Sequence, residues 1–185
     1  MRVITGKARG TKLIGPEGLE TRPTSDRIKE SLFNIMGQDL YDISFLDIFS
    51  GSGAIGIEAL SRGAKEATFI EISKAAYKYI ERNIQKTRFH EESTILNMSV
   101  DQALNQLGSH HKKFDVIFMD PPYNKEMINN TLSLIIKNAL LASDGYIVVE
   151  RPSDYTIDNH KELQLWKEKK YGITTMSFLK GVENI

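Results

Sequence analysis

Between residues 43 and 150 the chain alternates short apolar runs with helix-patterned segments, and few folds accept that rhythm. Ile43–Phe49, Ala67–Ile72, Thr94–Met98, Phe114–Met119 and Tyr146–Glu150 read as strands. Ala54–Ser61, a segment capped by Ser73 and running to Thr87, Asp101–Leu107 and Lys125–Leu141 read as the helices between them. Strands separated by helices of this length imply parallel βαβ units with right-handed crossovers. The tail breaks the rhythm. A helix is expected near Asp154–Glu162, and then Gln164–Lys170 and Thr174–Lys180 form a hairpin about Tyr171-Gly172. The expected fold is therefore α/β, a Rossmann-like seven-stranded sheet flanked by helices, mostly parallel with one antiparallel strand. Ahead of it, Thr24 or Ser25 caps a helix whose apolar face is Ile28, Leu32, Ile35 and Met36. Arg2–Thr5 and Thr11–Ile14 read as a small β-hairpin. Residues 1–20 are read as a basic hairpin extension and residues 21–185 as the main domain.

A chain of 185 residues suffices for one such domain. It has no cysteine, which removes disulfides, thiolate zinc sites and cysteine nucleophiles together. No apolar run approaches the length of a membrane span, and no signal-peptide core is present, so a cytoplasmic protein with no membrane partner is expected. No cluster of metal ligands appears; His90, His110, His111 and His160 lie in polar or loop-like stretches and read as surface residues. Net charge is zero, yet Arg2, Lys7, Arg9 and Lys12 stand in the first 14 residues without an acid. That arm is either a footprint for phosphates or a charged edge that prevents strand pairing. Arg22 and Arg27 follow it.

Two loops carry chemistry. Asp120-Pro121-Pro122-Tyr123 follows the apolar run Phe114–Met119, at the end of a strand where open α/β sheets bind ligands. The prolines make a stiff corner with bare carbonyls. Asp120 and the Pro121 carbonyl offer acceptors and Tyr123 a flat face, which suits a planar group carrying an amine. Taken alone, the tetrapeptide is equally a strand-ending turn. The second loop, Phe49-Ser50-Gly51-Ser52-Gly53-Ala54-Ile55-Gly56, has the G-x-G-x-x-G spelling in strand-to-helix context, with Glu71 at 20 residues beyond Gly51 to hold ribose hydroxyls. A dinucleotide-dependent oxidoreductase fits that spelling. Asp47 argues against it, because a carboxylate aimed into a pyrophosphate site repels the ligand. A ligand with an ammonium and a sulfonium, S-adenosylmethionine, fits better. Asp47, Phe49, Gly51, Ser52, Gly53 and Glu71, with Asp120, are its candidate contacts. Ser99 and Val100, just past the third strand, lie where an adenine would be met.

With these residues in hand the chain resembles the class I S-adenosylmethionine-dependent methyltransferases that modify exocyclic amines. Residues 1–13, the block Thr21-Arg22-Pro23-Thr24-Ser25-Asp26 to Ile35, and Ile57–Ala64 are similar to the RsmD family, the 16S rRNA guanine(966)-N(2)-methyltransferases. The glycine loop and D-P-P-Y are shared by many methyltransferases; the Arg22-Pro23-Thr24 block is what points to this family. The resemblance implies transfer of a methyl group to guanine N2 in small-subunit ribosomal RNA, within an assembled or partly assembled subunit. Asp120, Pro121, Pro122 and Tyr123 would present the amine. Arg2, Lys7, Arg9, Lys12, Arg22 and Arg27 would contact RNA. The enzyme is expected to act as a monomer. Two alternatives stay open: a DNA adenine-N6 or cytosine-N4 methyltransferase, and a non-catalytic RNA-binding assembly factor on the same fold.

Overall fold

The computed structural model describes residues 1–16, 23–37, 40–122 and 125–182. Its strands are β1 (Ser44–Ile48), β2 (Glu66–Ile70), β3 (Ser93–Leu96), β4 (Phe114–Met119), β5 (Leu141–Pro152), β6 (Leu163–Tyr171) and β7 (Thr174–Gly181). Its helices are α1 (Pro23–Met36), α2 (Ala54–Ser61), α3 (Lys74–Thr87), α4 (Val100–Ser109) and α5 (Lys125–Lys137). They form one seven-stranded sheet in the order β3-β2-β1-β4-β5-β7-β6. Neighbours from β3 to β5 run parallel, while β7 lies antiparallel to both β5 and β6. The single reversed strand is the one the tail hairpin requires. Strand order reverses between β1 and β4, which opens a crevice at their carboxyl ends.

Side chains alternate across the sheet, so each strand feeds two cores. Phe45, Phe69, Val116, Phe118 and Val148 pack under α1, α2 and α3 with Leu32, Phe33, Ile57 and Ile80. Leu46, Ile48, Ile70, Ile117 and Val149 pack under α4 and α5 with Leu104, Ile128 and Leu132. The same period puts Asp47, two residues past Phe45, on the α1–α3 side. Asp120 and Glu150, two residues past Phe118 and Val148, continue that side at the ends of β4 and β5.

The structure departs from the sequence reading in five places, one of them β5, which begins at Leu141 rather than at the expected Tyr146. Helix α1 begins at Pro23, ahead of the expected caps, and a proline suits the first helical position because its missing N–H has no partner there. Helix α5 stops at Lys137, because Ala139 turns left-handed (φ 49°) and the Ala139 and Leu140 N–H groups donate back to Ile136 O and Ile135 O. No helix forms over residues 154–162. There side chains claim the segment: Arg151 Nη1 donates to Tyr155 O, Asn129 Oδ1 of α5 accepts from Asp158 N (3.2 Å), and Asn129 Nδ2 donates to the Tyr155 hydroxyl (2.7 Å) and Asp158 Oδ2 (2.6 Å). The N-terminal hairpin carries only an isolated bridge, Arg2 to Lys12. It is docked rather than free, with Val3 and Leu13 buried in the α1–α3 core.

What docks it is Glu58, a charged residue of α2 with no exposed surface. Its carboxylate accepts from Ile4 N (2.8 Å) and Thr5 N (3.0 Å), and pairs with Lys29 of α1 (3.1 Å) and Arg62 (2.9 Å). Lys29 also donates to Arg2 O (2.6 Å), and burial, outweighing the attraction of Glu58, holds its ammonium below the usual lysine pKa. Gly6 completes the joint: a side chain there would lie 1.7 Å from Ser61 O, so only glycine fits. Removing one partner from a buried ion network strands the others. Glu58→Ala should therefore lower the unfolding free energy by about 3–5 kcal/mol in urea titrations. An unchanged midpoint would show that this joint carries no stability.

Candidate active site

The site begins where β1 ends. Phe49 takes a left-handed backbone (φ 61°), rare for a bulky residue and costing on the order of 1–3 kcal/mol. Buried Ser50 holds the turn, its hydroxyl donating to Asp47 O (2.6 Å) and its N–H to Ile70 O (3.1 Å). Gly51 (φ 55°) and Gly53 (φ 75°) then continue left-handed, and a side chain on Gly51 would meet nothing, so its backbone faces open space. Gly56 serves packing instead: a Cβ there would lie 2.4 Å from the Phe69 ring, so α2 lies directly on β2.

Two carboxyls fasten this loop. Asp47, buried, accepts from Gly56 N through Oδ2 (3.0 Å). Glu71 accepts from Gly51 N through Oε2 (2.9 Å) and from Ser73 N through Oε1 (2.8 Å). Asn97 supports the Glu71 corner by donating to Glu71 O (2.7 Å). Ser99 caps α4 in a capping box with Gln102, so its hydroxyl is already engaged while its surface lines the cleft.

The loop separates two clefts that share Phe49. One of about 360 Å³ is lined by Phe49, Ile70, Glu71, Ile72, Ser99 and Val100 on the sheet side and by Met127 and Thr131 of α5. The other, about 430 Å³, is lined by Asp47, Phe49, Gly51, Ser52, Asp120 and Glu150, with Lys29 and Met176. The Lys29 ammonium is committed to Glu58 and Arg2 O. The second cleft thus gathers three carboxyls, and none has a salt bridge among the described residues. Burial pushes the Asp47 carboxyl up to about 7 against the Gly56 hydrogen bond, with the charges of Asp120 and Glu71 adding to the rise. Asp120 leaves much of its surface at the cleft mouth, yet the surrounding protein still desolvates its carboxyl and pushes it to about 6. Burial, then the Asp120 charge, pushes Glu150 up to about 8.

The structure brings the expected cofactor residues to these clefts, with Gly53 in the turn between them. Pro121 is buried and Pro122 exposed behind Asp120, while Tyr123 lies outside the described residues. On the arm, Arg2, Lys7, Arg9 and Lys12 are exposed, as is Arg27; Arg22 lies outside the described residues. Arg2 Nε stands 3.8 Å from Asp26 Oδ2. Sequence reasoning missed Glu150, whose signal was a charge following the buried run Ile147–Val149. It also missed Asn83 of α3, buried, which accepts from Ile14 N (2.7 Å) and donates to Ile14 O (2.8 Å) and Ser52 O (2.9 Å), tying the arm to the glycine loop.

Strand β7, set antiparallel between β5 and β6, distinguishes this sheet from all-parallel doubly wound folds and makes it the sheet of the class I methyltransferases. The family described as Conserved hypothetical protein 95 matches residues 1–180. A Haemophilus influenzae relative, "Ribosomal RNA small subunit methyltransferase D", is 37% identical over 178 residues, covering 95% of this chain and 91% of its own. The solved structure of yhhF from Escherichia coli superposes with a TM-score of 0.86 at 34% identity, covering 98% of this chain and 97% of that one. A more distant structure, SMU.776 complexed with SAH, shares the fold at 15% identity with a TM-score of 0.67, over 85% of this chain and 49% of its own. The chain belongs to the Conserved hypothetical protein 95 family, which is the RsmD family.

The raised Asp47 carboxyl has a consequence for stability. The folded protein keeps a proton that the unfolded chain releases, so this contribution is present in acid and is lost as pH rises from about 4 through about 7. Asp47→Asn keeps an acceptor for Gly56 N–H and removes the charge. In urea titrations of the ligand-free protein the variant should exceed the wild type by on the order of a few kcal/mol at pH 8, with the gap shrinking toward pH 5. A variant less stable than the wild type at pH 8 would contradict the assignment.

Proposed function

We propose that this chain transfers a methyl group from S-adenosylmethionine to the N2 amine of guanine 966 in 16S ribosomal RNA, in an assembled or partly assembled small subunit. The observation that carries the reading is a pair of desolvated carboxyls, Asp47 and Asp120, in one cleft beside Glu71 and the open glycine turn. Uncompensated carboxyls in a poorly hydrated cleft favour a cationic ligand and disfavour a dinucleotide pyrophosphate. The cofactor supplies an electrophilic methyl on a sulfonium. Asp47 would take its ammonium, Gly51, Ser52 and Gly53 its methionine portion, Glu71 its ribose hydroxyls, and Phe49, Ser99 and Val100 its adenine. The small-subunit substrate is supported by the name of the Haemophilus relative, and the exposed Arg2, Lys7, Arg9, Lys12 and Arg27 supply charge for phosphates.

The guanine N2 lone pair is delocalised into its ring, so the protein has to localise it. Asp120 and the Pro121 carbonyl would accept the two N–H bonds and leave the lone pair directed at the methyl. Those bonds strengthen as positive charge develops on nitrogen, which favours the transition state over the ground state. A carboxyl raised to about 6 is also a better proton acceptor than an ordinary aspartate. Tyr123 would stack on the base, worth about 1–3 kcal/mol. The base has to leave its stack to enter, and an unpaired loop makes that cheapest.

Methyl transfer to small subunits, naked RNA and duplex DNA compared in one assay should favour subunits; transfer confined to DNA would overturn the reading. Asp120→Ala should abolish transfer while leaving cofactor affinity within about tenfold, because its hydrogen bonds go to the amine and it adds only nearby charge to the cofactor contacts of Asp47 and Glu71. A variant that loses cofactor binding as well would assign Asp120 to the wrong ligand.

A further inference from the structure

Glu150 has no place in the mechanism above. It lies near the carboxyl end of β5, and the pairing of Met119 with Val149 puts it beside Asp120 on the next rung of adjacent parallel strands. The strand period carries both residues to the α1–α3 side, where both line the 430 Å³ cleft. Glu150 is half-buried, and no hydrogen bond or salt bridge of the described residues engages its carboxyl. The cations at hand are committed elsewhere. Arg151 donates to Ser177 Oγ (2.8 Å), Glu168 Oε1 and Tyr155 O, and Lys29 is held by Glu58 and Arg2 O. A poorly hydrated carboxyl without a partner is costly to keep. Its raised pKa reflects that cost. A donor arriving with a ligand would offset it.

Resting on the guanine-N2 reading, we propose that Glu150 is a specificity-determining residue whose carboxyl accepts the guanine N1–H while Asp120 and the Pro121 carbonyl hold the N2 amine. The chemistry of the base edges makes the match. On guanine the amine at C2 is followed by the N1–H donor, so two neighbouring acceptors meet two neighbouring donors. Beside the amines of adenine and cytosine stands a ring nitrogen lone pair, N1 or N3, which the ionised carboxylate repels, whereas the guanine N1–H donor favours that ionised form. The Asp-Pro-Pro corner by itself serves any of these amines. An acceptor one rung further along selects guanine.

2-Aminopurine tests this, because it keeps the C2 amine and lacks the N1–H. Small subunits reconstituted with guanosine or 2-aminopurine riboside at the methylated position are compared under single turnover. The wild type should prefer guanosine by about 10- to 100-fold. Glu150→Gln can donate as well as accept, and should lower that preference by about tenfold while still methylating guanosine. Glu150→Ala should slow guanosine and speed 2-aminopurine, whose N1 lone pair no longer meets a repelling carboxylate. Calorimetric affinity for S-adenosylhomocysteine should stay within about threefold in both variants, confirming a folded cofactor site. Rates falling in parallel on both bases, or an unchanged preference, would overturn the proposal, as would a loss of cofactor affinity in either variant. Product analysis separates the two readings: methyl on another atom or base defeats the guanine-N2 reading itself, whereas N2-methylguanine with an unchanged preference defeats only the role of Glu150.

Discussion

Asp47, Glu71, Asp120 and Glu150 stand at the carboxyl ends of β1, β2, β4 and β5, and the crevice is built around keeping four like charges close together. Elsewhere the protein pairs its buried charges, as Glu58 with Lys29 and Arg62. Here it offers only backbone N–H groups, Gly56 to Asp47 and Gly51 and Ser73 to Glu71. Those bonds orient the carboxyls and leave lone pairs free. The left-handed turn at Phe49, Gly51 and Gly53 is what aims those N–H groups. Burial, with neighbouring carboxylate charge adding at Asp47 and Glu150, pushes Asp47, Asp120 and Glu150 toward neutral pH. On the proposed reading a ligand bearing an ammonium and a sulfonium would offset that cost of burial, so the same desolvation that weakens the free protein would contribute to binding.

The N-terminal arm is tied to this crevice at two points. Glu58 holds Ile4 and Thr5 against α1 and α2, and Asn83 holds Ile14 to Ser52 of the glycine loop. Met1 and Pro16 of the arm line the same cleft as Asp47 and Asp120. The exposed basic arm and the carboxyl-lined cleft are therefore neighbours joined by buried polar contacts.

Much of the fold was legible because its rules are local. Apolar runs of strand length, the helices between them and the tail hairpin about Gly172 give seven strands with one reversed. Asp47, Glu71 and Asp120 were legible because each closes or adjoins such a run. Glu58 and Asn83 were not, since a polar residue on a helix reads as solvated, and tertiary contact with a segment 53 to 69 residues away helps bury each. Glu150 was passed over because strand boundaries from pattern are loose and a terminal acid reads as a cap. The expected helix over residues 154–162 failed for the converse reason: Asn129, 29 residues away on α5, and the Arg151 guanidinium claim backbone groups that a helix would use.

The central claim, methyl transfer to a guanine amine of small-subunit ribosomal RNA, is tested most directly in the cell. Mass spectrometric mapping of modified nucleotides is applied to ribosomal RNA from cells lacking this protein, complemented with either the wild type or Asp120→Ala. One N2-methylguanine should be missing from the small-subunit RNA, restored by the wild type and not by the variant. An unchanged map, or loss of a methyl from any other base, would contradict the account.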